Sequence, residues 1–257
     1  ILNRLSAYME KAMDLKRKVK GAMTYPVVVL VVAIAVVILL LYKVVPVFEE
    51  MFSTMGSALP GPTQFLVDAS RFVQGNILYI IGTMILIVFI FRRYYKTKGG
   101  RLRIDRMTLK LPVFGLLLKK VAVAKFSRTL STMMTSGVPI LDGLEIVSKT
   151  AGNKVVENAL LETRKSISEG KTIAEPLSEA GIFPSMVVSM ISVGENTGAL
   201  DAMLEKIADF YDSEVDAAVS ALTTLLEPIM MVFLGGVVGG MIIALYLPIF
   251  SMAGAIG

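Results

Sequence analysis

PVVVLVVAIAVVILLLYKVVPV, Pro26 to Val47, decides the fold class. A helix of this length matches the roughly 30 Å hydrocarbon core of a bilayer. Its one charge, Lys43, lies near an end, from which a long side chain can snorkel to the interface. Pro26 suits the first turn of a helix and Pro46 marks its exit. Two further stretches read the same way. One is centred on ILYIIGTMILIVFIF, Ile77 to Phe91, and is completed to the required length by Phe72 to Asn76. The other runs from Pro228 to Phe250 without a charge. The chain therefore reads as an all-α membrane protein with three transmembrane helices.

Composition agrees. Hydrophobic residues make up 54% of the chain and the mean hydropathy is +0.69, above the usual soluble domain. There is no cysteine and no histidine, which excludes disulfides, thiolate chemistry, histidine-based catalysis and Cys/His zinc sites. No cofactor is expected. The pI of about 9.3 does not point to nucleic acid, because the basic residues sit beside the spans, where the positive-inside rule accounts for them.

Those flanks set the topology. Before the first span stand Arg4, Lys11, Lys16, Arg17, Lys18 and Lys20; after the second stand Arg92, Arg93, Lys96, Lys98, Arg101, Arg103, Arg106 and Lys110, against Asp105 alone. Residues 48 to 76 carry only Arg71 among basic residues. The expected division is 1–25 as the end of a first cytoplasmic domain, 26–47 as the first span and 48–71 as a periplasmic loop. The second span follows at 72–91, a basic cytoplasmic linker at 92–119 and a cytoplasmic helical bundle at 120–227. The third span takes 228–250 and a periplasmic tail 251–257. The basic run is read as attracted to anionic membrane lipid.

Sliding the chain by 202 positions aligns its start with its end. Leu2, Arg4, Leu5, Tyr8 and Glu10 meet Leu204, Lys206, Ile207, Phe210 and Asp212, while Pro26 meets Pro228. Val45-Pro46-Val47-Phe48 meets Leu247-Pro248-Ile249-Phe250. The reading is an internal parallel repeat, a helical domain feeding a span twice. The first copy retains only its last helix and span, and the chain starts at Ile1, so a preceding domain is expected to be missing.

Gly and Pro punctuate residues 120 to 226 into roughly six helices, a pattern that packs as a helical bundle. The breaks fall at Gly137-Val138-Pro139, Gly152-Asn153, Gly170, Gly181 and Gly194, after which a last helix runs from about Leu200 towards Pro228. KFSRTLSTMMTSGVPILDGL (125–144), IFPSMVVSMISVGENTGALDAMLEKIADFY (182–211) and LLEPIMM with ALYLPIF then carry a resemblance. They resemble the type II secretion F / PilC family of inner-membrane platform proteins, as do PVFGLLLKK, AMTYP and VVPVFEEMF. AGNKVVENAL and YLPIF are more similar to the pilus branch than to the secretion branch. The resemblance implies a bacterial inner-membrane platform for type IV pilus assembly that is not an enzyme and forms homo-oligomers. It implies partners too: cytoplasmic motor ATPases, pilins and other inner-membrane alignment proteins. A type II secretion platform is the alternative; a membrane enzyme or transporter would need a catalytic cluster or a mid-span charge, and neither is visible.

Several residues stand out. Glu169-Gly170-Lys171-Thr172 mimics a phosphate loop, but the required earlier glycine is Lys165 and no strand precedes it, so Gly170 is read as a helix end. In Gly194-Glu195-Asn196-Thr197-Gly198, Gly194 is read as ending a helix and Thr197 as capping the next, with Glu195 holding the junction or meeting a partner. Asp201, Glu205, Asp209, Asp212 and Asp216 recur on one helix face, read as a solvated stripe or a docking stripe for a basic surface. Glu227 before Pro228 reads as an interfacial carboxylate at a helix start or as a contact within an assembly. Gly235, Gly236, Gly239 and Gly240, followed by Ala244, form small-xxx-small patterns that permit close helix approach within the chain or between chains.

Overall fold

A computed structural model of the chain describes residues 2–54 and 59–255, with side chains described for 17–54 and 59–250. Among the described residues there are helices and turns and no strand. The helices are α1 (Leu2–Leu39), α2 (Val45–Thr54), α3 (Gly61–Tyr95), α4 (Lys98–Lys110), α5 (Phe114–Thr135), α6 (Ile140–Thr150), α7 (Lys154–Ser168), α8 (Ala174–Glu179), α9 (Ser185–Thr197) and α10 (Leu200–Ala255). A π-helical turn, Leu40–Val44, joins α1 to α2. Three helical stretches are long and apolar enough to cross a membrane: Arg17–Thr54, Gly61–Tyr95 and Leu200–Phe250. They are almost entirely unburied within the chain, the condition of helices whose partner is lipid. The chain is an all-α membrane protein.

Two compact units divide it. The first comprises Ile1–Ala22 and Arg93–Leu222, and its core is one apolar cluster. Phe126, Leu130, Leu144, Leu160, Leu177, Ile191, Leu204 and Ile207 are its largest fully buried side chains. Phe126 and Phe183 pack with ring centroids 5.2 Å apart. Helix ends follow local chemistry. Asn153 accepts from the N–H groups of Val155 and Val156, at 2.9 and 3.3 Å, and so caps α7. Gly170 closes the same helix at φ 90°, in the left-handed region a glycine enters freely, and Lys171 N–H then donates to Ser166. The stretch read as a basic linker contains α4 and the first turns of α5.

The second unit comprises Met23–Arg92 and Thr223–Gly257. Its core is small: Val45, Leu66, Val67, Met241, Ala244 and Leu245. Here the structure corrects the expected helix limits. Pro26 lies inside α1, not in a first turn, and Pro228 and Pro248 lie inside α10. Pro46 follows the π turn and begins α2 instead of ending a span. The residues read as a periplasmic loop are largely helical, since α2 and the start of α3 occupy them. A helix tolerates an interior proline best where another group serves the carbonyl left without a donor.

Two of those carbonyls, the ones freed by Pro46 and Pro248, are served from α3. Pro248 has no N–H to give Ala244, and the hydroxyl of Thr63 donates to that carbonyl at 2.5 Å. In the π turn Val45 N–H reaches back five residues to Leu40, so Pro46 would fall to Leu41; there Ser70 donates its hydroxyl. Gln74 adds a long bond of 3.5 Å to the Tyr42 carbonyl. Thr63 and Ser70 are both buried, two turns apart on the face of α3 that also buries Leu66 and Val67. Arg71 on α3 pairs with Glu49 on α2.

Candidate coupling and assembly site

The junction between α9 and α10 is built by close approach. A Cβ on Gly194 would lie 2.9 Å from the Cα of Leu200 and 3.0 Å from Met203 Cγ, so only hydrogen fits there. Gly194 is buried within α9 and does not end it; the helix continues to Thr197 and closes on Gly198 at φ 72°. The sequence reading placed the helix end four residues early because a glycine inside a helix and one ending it look alike in sequence. Thr197 also departs from expectation. Its hydroxyl donates back to the Val193 carbonyl at 2.8 Å and does not cap α10. Glu195 faces away from that junction: both its carboxylate oxygens accept from the N–H of Ile173, each at 3.0 Å. Ile173 is the residue before α8, so one carboxylate binds the short helix to the end of α9.

The acidic face of α10 is not uniformly solvated. Arg128, on α5, donates through Nη2 to Asp209 at 2.6 Å and to Asp212 at 2.7 Å. Burial alone would lower the Arg128 pKa, but the hydrogen bonds and charges of the two aspartates outweigh it and raise it. Lys120 pairs with Glu214 and Lys18 with Asp216, both at 2.6 Å. Asp201 sits in the first turn of α10, where a carboxylate favours the helix N-terminus; Ser131 meets its backbone carbonyl at 3.1 Å. Glu205 is exposed. The stripe therefore divides into a half bound to α5 and α1 and an open end at Asp201 and Glu205. Among the described residues no three acidic side chains are grouped so as to hold a cation.

Sequence reasoning missed the residue that joins α4 to α7. Asp105 is 5% exposed. It accepts from Tyr95 Oη at 3.1 Å and from Lys154 N–H at 2.6 Å, with Arg101 Nε at 3.8 Å. The signal was available: Asp105 is the only acid between Arg92 and Lys120. Counting it as a topological charge concealed it. In the second unit Glu227 and Pro228 are exposed. A Cβ on Gly235, Gly236, Gly239 or Gly240 would meet nothing within 4 Å, so the close helix approach expected there is not made with the described residues of this chain. The close contact on α10 falls one turn later, at Met241, Ala244 and Leu245.

The family model for type II secretion system protein F matches residues 1–46 and 126–248. The chain belongs to that family. Relatives within the family carry two kinds of name. The type IV pilus assembly protein PilC of Myxococcus xanthus is 58% identical over 256 residues, covering 100% of this chain and 61% of the relative. PilC of Thermus thermophilus is 44% identical, covering 100% and 63%. The type II secretion system protein F of Vibrio cholerae is 36% identical, covering 98% and 62%. The chain thus spans about three fifths of the length of these family members. Their names describe assembly and secretion-system proteins, and the three apolar helices fit an inner-membrane protein.

Proposed function

We propose that the chain is the membrane and bundle portion of an inner-membrane platform for type IV pilus assembly. The observation that carries this is the gap between 58% identity to a pilus assembly protein and 36% to a secretion protein, each over nearly the whole chain. In this reading the first unit faces the cytoplasm, because the basic flanks of the first two spans retain positive charge on that side. A motor ATPase acts on the bundle, and pilins and alignment proteins are engaged at the membrane. The chain makes no mechanical work of its own and transmits a partner's. α10 supports that role, since one helix carries the bound acidic stripe and continues into the third apolar segment. The uncovered glycine face of that segment supports contact with a second copy of the chain.

Deletion of the gene that encodes this chain should abolish surface pili and leave secreted enzymes unchanged. Loss of secretion with normal pili would assign it instead to the secretion branch.

A further inference from the structure

We propose that the elbow between α4 and α5 is an interfacial anchor that lies on an anionic lipid surface, its apolar tip among the acyl chains and its cations among the headgroups. The inference rests on the chain being embedded in a membrane and is independent of the pilus reading.

The elbow is Leu111-Pro112-Val113-Phe114-Gly115-Leu116. Leu111, Val113 and Leu116 are 50%, 52% and 59% exposed, an unusual run of large apolar side chains facing outward together. It is not loose. Gly115 N–H donates to Leu111 at 2.8 Å, and a Cβ on Gly115 would lie 2.4 Å from the carbonyl of Leu109, so the turn is closed tightly on the end of α4. Val113 holds φ 65° and ψ −62°, a γ-turn closed by Phe114 N–H on the Pro112 carbonyl at 2.7 Å, which a β-branched residue adopts only under constraint. A turn that keeps this strain while presenting its apolar side chains outward has an occupant for them.

Charge identifies the occupant. α4 buries Asp105 and Leu109, so the opposite face presents Arg103, Arg106, Met107 and Lys110 outward. Asp105, the only acid from Arg92 to Lys120, is turned inward. The outer surface is therefore cationic and apolar with no carboxylate, the composition of a segment lying at the boundary of anionic headgroups and acyl chains. Position agrees. Tyr95 donates to Asp105, and Arg103 reaches Tyr94 Oη at 3.3 Å, fixing α4 to the last turn of the apolar helix α3.

The chain contains no tryptophan, so one introduced at Leu116 or, separately, at Met107 is a unique reporter in the full chain. We would reconstitute each variant in phosphatidylcholine vesicles with and without phosphatidylglycerol, using lipids brominated on the acyl chain. Both reporters should shift to the blue and lose intensity in the phosphatidylglycerol vesicles, less so without that lipid. A tryptophan at Val193, exposed on α9, should be unaffected. Arg103→Glu with Arg106→Glu should abolish the quenching at Leu116. Unquenched emission at both sites would overturn the proposal, as would quenching equal at Val193 or indifferent to the charge reversal. Cross-linking between copies through Met107→Cys, with no quenching, would overturn it by assigning the surface to a second chain.

Discussion

The hydroxyl of Thr63 donates to the carbonyl of Ala244, the acceptor that Pro248 leaves without a backbone donor. The bond replaces one that the proline forbids, so its value depends on the proline. Thr63→Val should destabilise the helical membrane unit by about 1–2 kcal/mol, measured by reversible unfolding in detergent micelles. Thr63→Ser should retain most of that. In the Pro248→Ala background Ala244 regains a helical donor, and Thr63→Val should then cost clearly less. Equal losses in both backgrounds would show that the two residues act independently.

Gly194 and Gly198 should respond differently to the same methyl group. Gly194→Ala drives a carbon against the Leu200 backbone and should cost about 1–3 kcal/mol by overpacking. Gly198→Ala meets no neighbour within 4 Å and carries only the left-handed penalty of about 1 kcal/mol. Gly198→Asn should recover part of the latter, because Asn tolerates that region; no Asn substitution should rescue position 194. Thermal unfolding of the three variants decides it.

The open glycine face of α10 gives a test of self-association. A Cβ at Gly235 or Gly239 meets no described residue within 4 Å, so leucines there should leave insertion and folding of the monomer near normal. If a second copy packs there, the pair of substitutions should break the oligomer on native gels and in cross-linking. An unchanged oligomer would place the contact elsewhere.

Topology can be read with a single introduced thiol, since the chain has no cysteine. Cysteines at Ser57 and Ala255 should label with a membrane-impermeant reagent from the periplasmic side, and one at Ser168 should not. Labelling of Ser168 in intact spheroplasts would reverse the orientation.

If α10 transmits work, interrupting it should separate the motor from the pilus. Ala217→Pro places a break of about 3 kcal/mol or more at an exposed position between the acidic stripe and the apolar segment. Protein level and insertion should remain near normal while pili fail to form. Abundant pili from this variant would mean that force travels by another route.

The spans were legible because long apolar runs with no charge near their centres admit few other readings, and the bundle helices because Gly and Pro punctuate them. What the sequence concealed were polar residues whose partners lie far along the chain. Arg128 reads as one cation in a hydroxyl-rich helix until α10 brings Asp209 and Asp212 to it. Thr63 and Ser70 lie where the reading placed a loop, yet they serve carbonyls 181 and 29 residues away. Pro46 and Pro248 misled for the same reason: a helix passes a proline more readily where another group satisfies the freed carbonyl, and α3 does so for both. The expected repeat pairs Pro46 with Pro248, but of its other members Leu2, Arg4, Leu5, Tyr8 and Glu10 lie outside the residues whose side chains are described.

The two hydroxyls on α3 also limit how this protein can change in length. Ser70 lies seven positions after Thr63, two turns that return nearly to the same face. One inserted residue between them would swing the second hydroxyl by about 100° and withdraw it from Leu41, whatever the inserted residue was. Substitution in that interval is thus constrained side chain by side chain, whereas insertion or deletion is constrained at once at both ends. Sequences of this family that keep both prolines and both hydroxyls should differ here in letters and never in spacing.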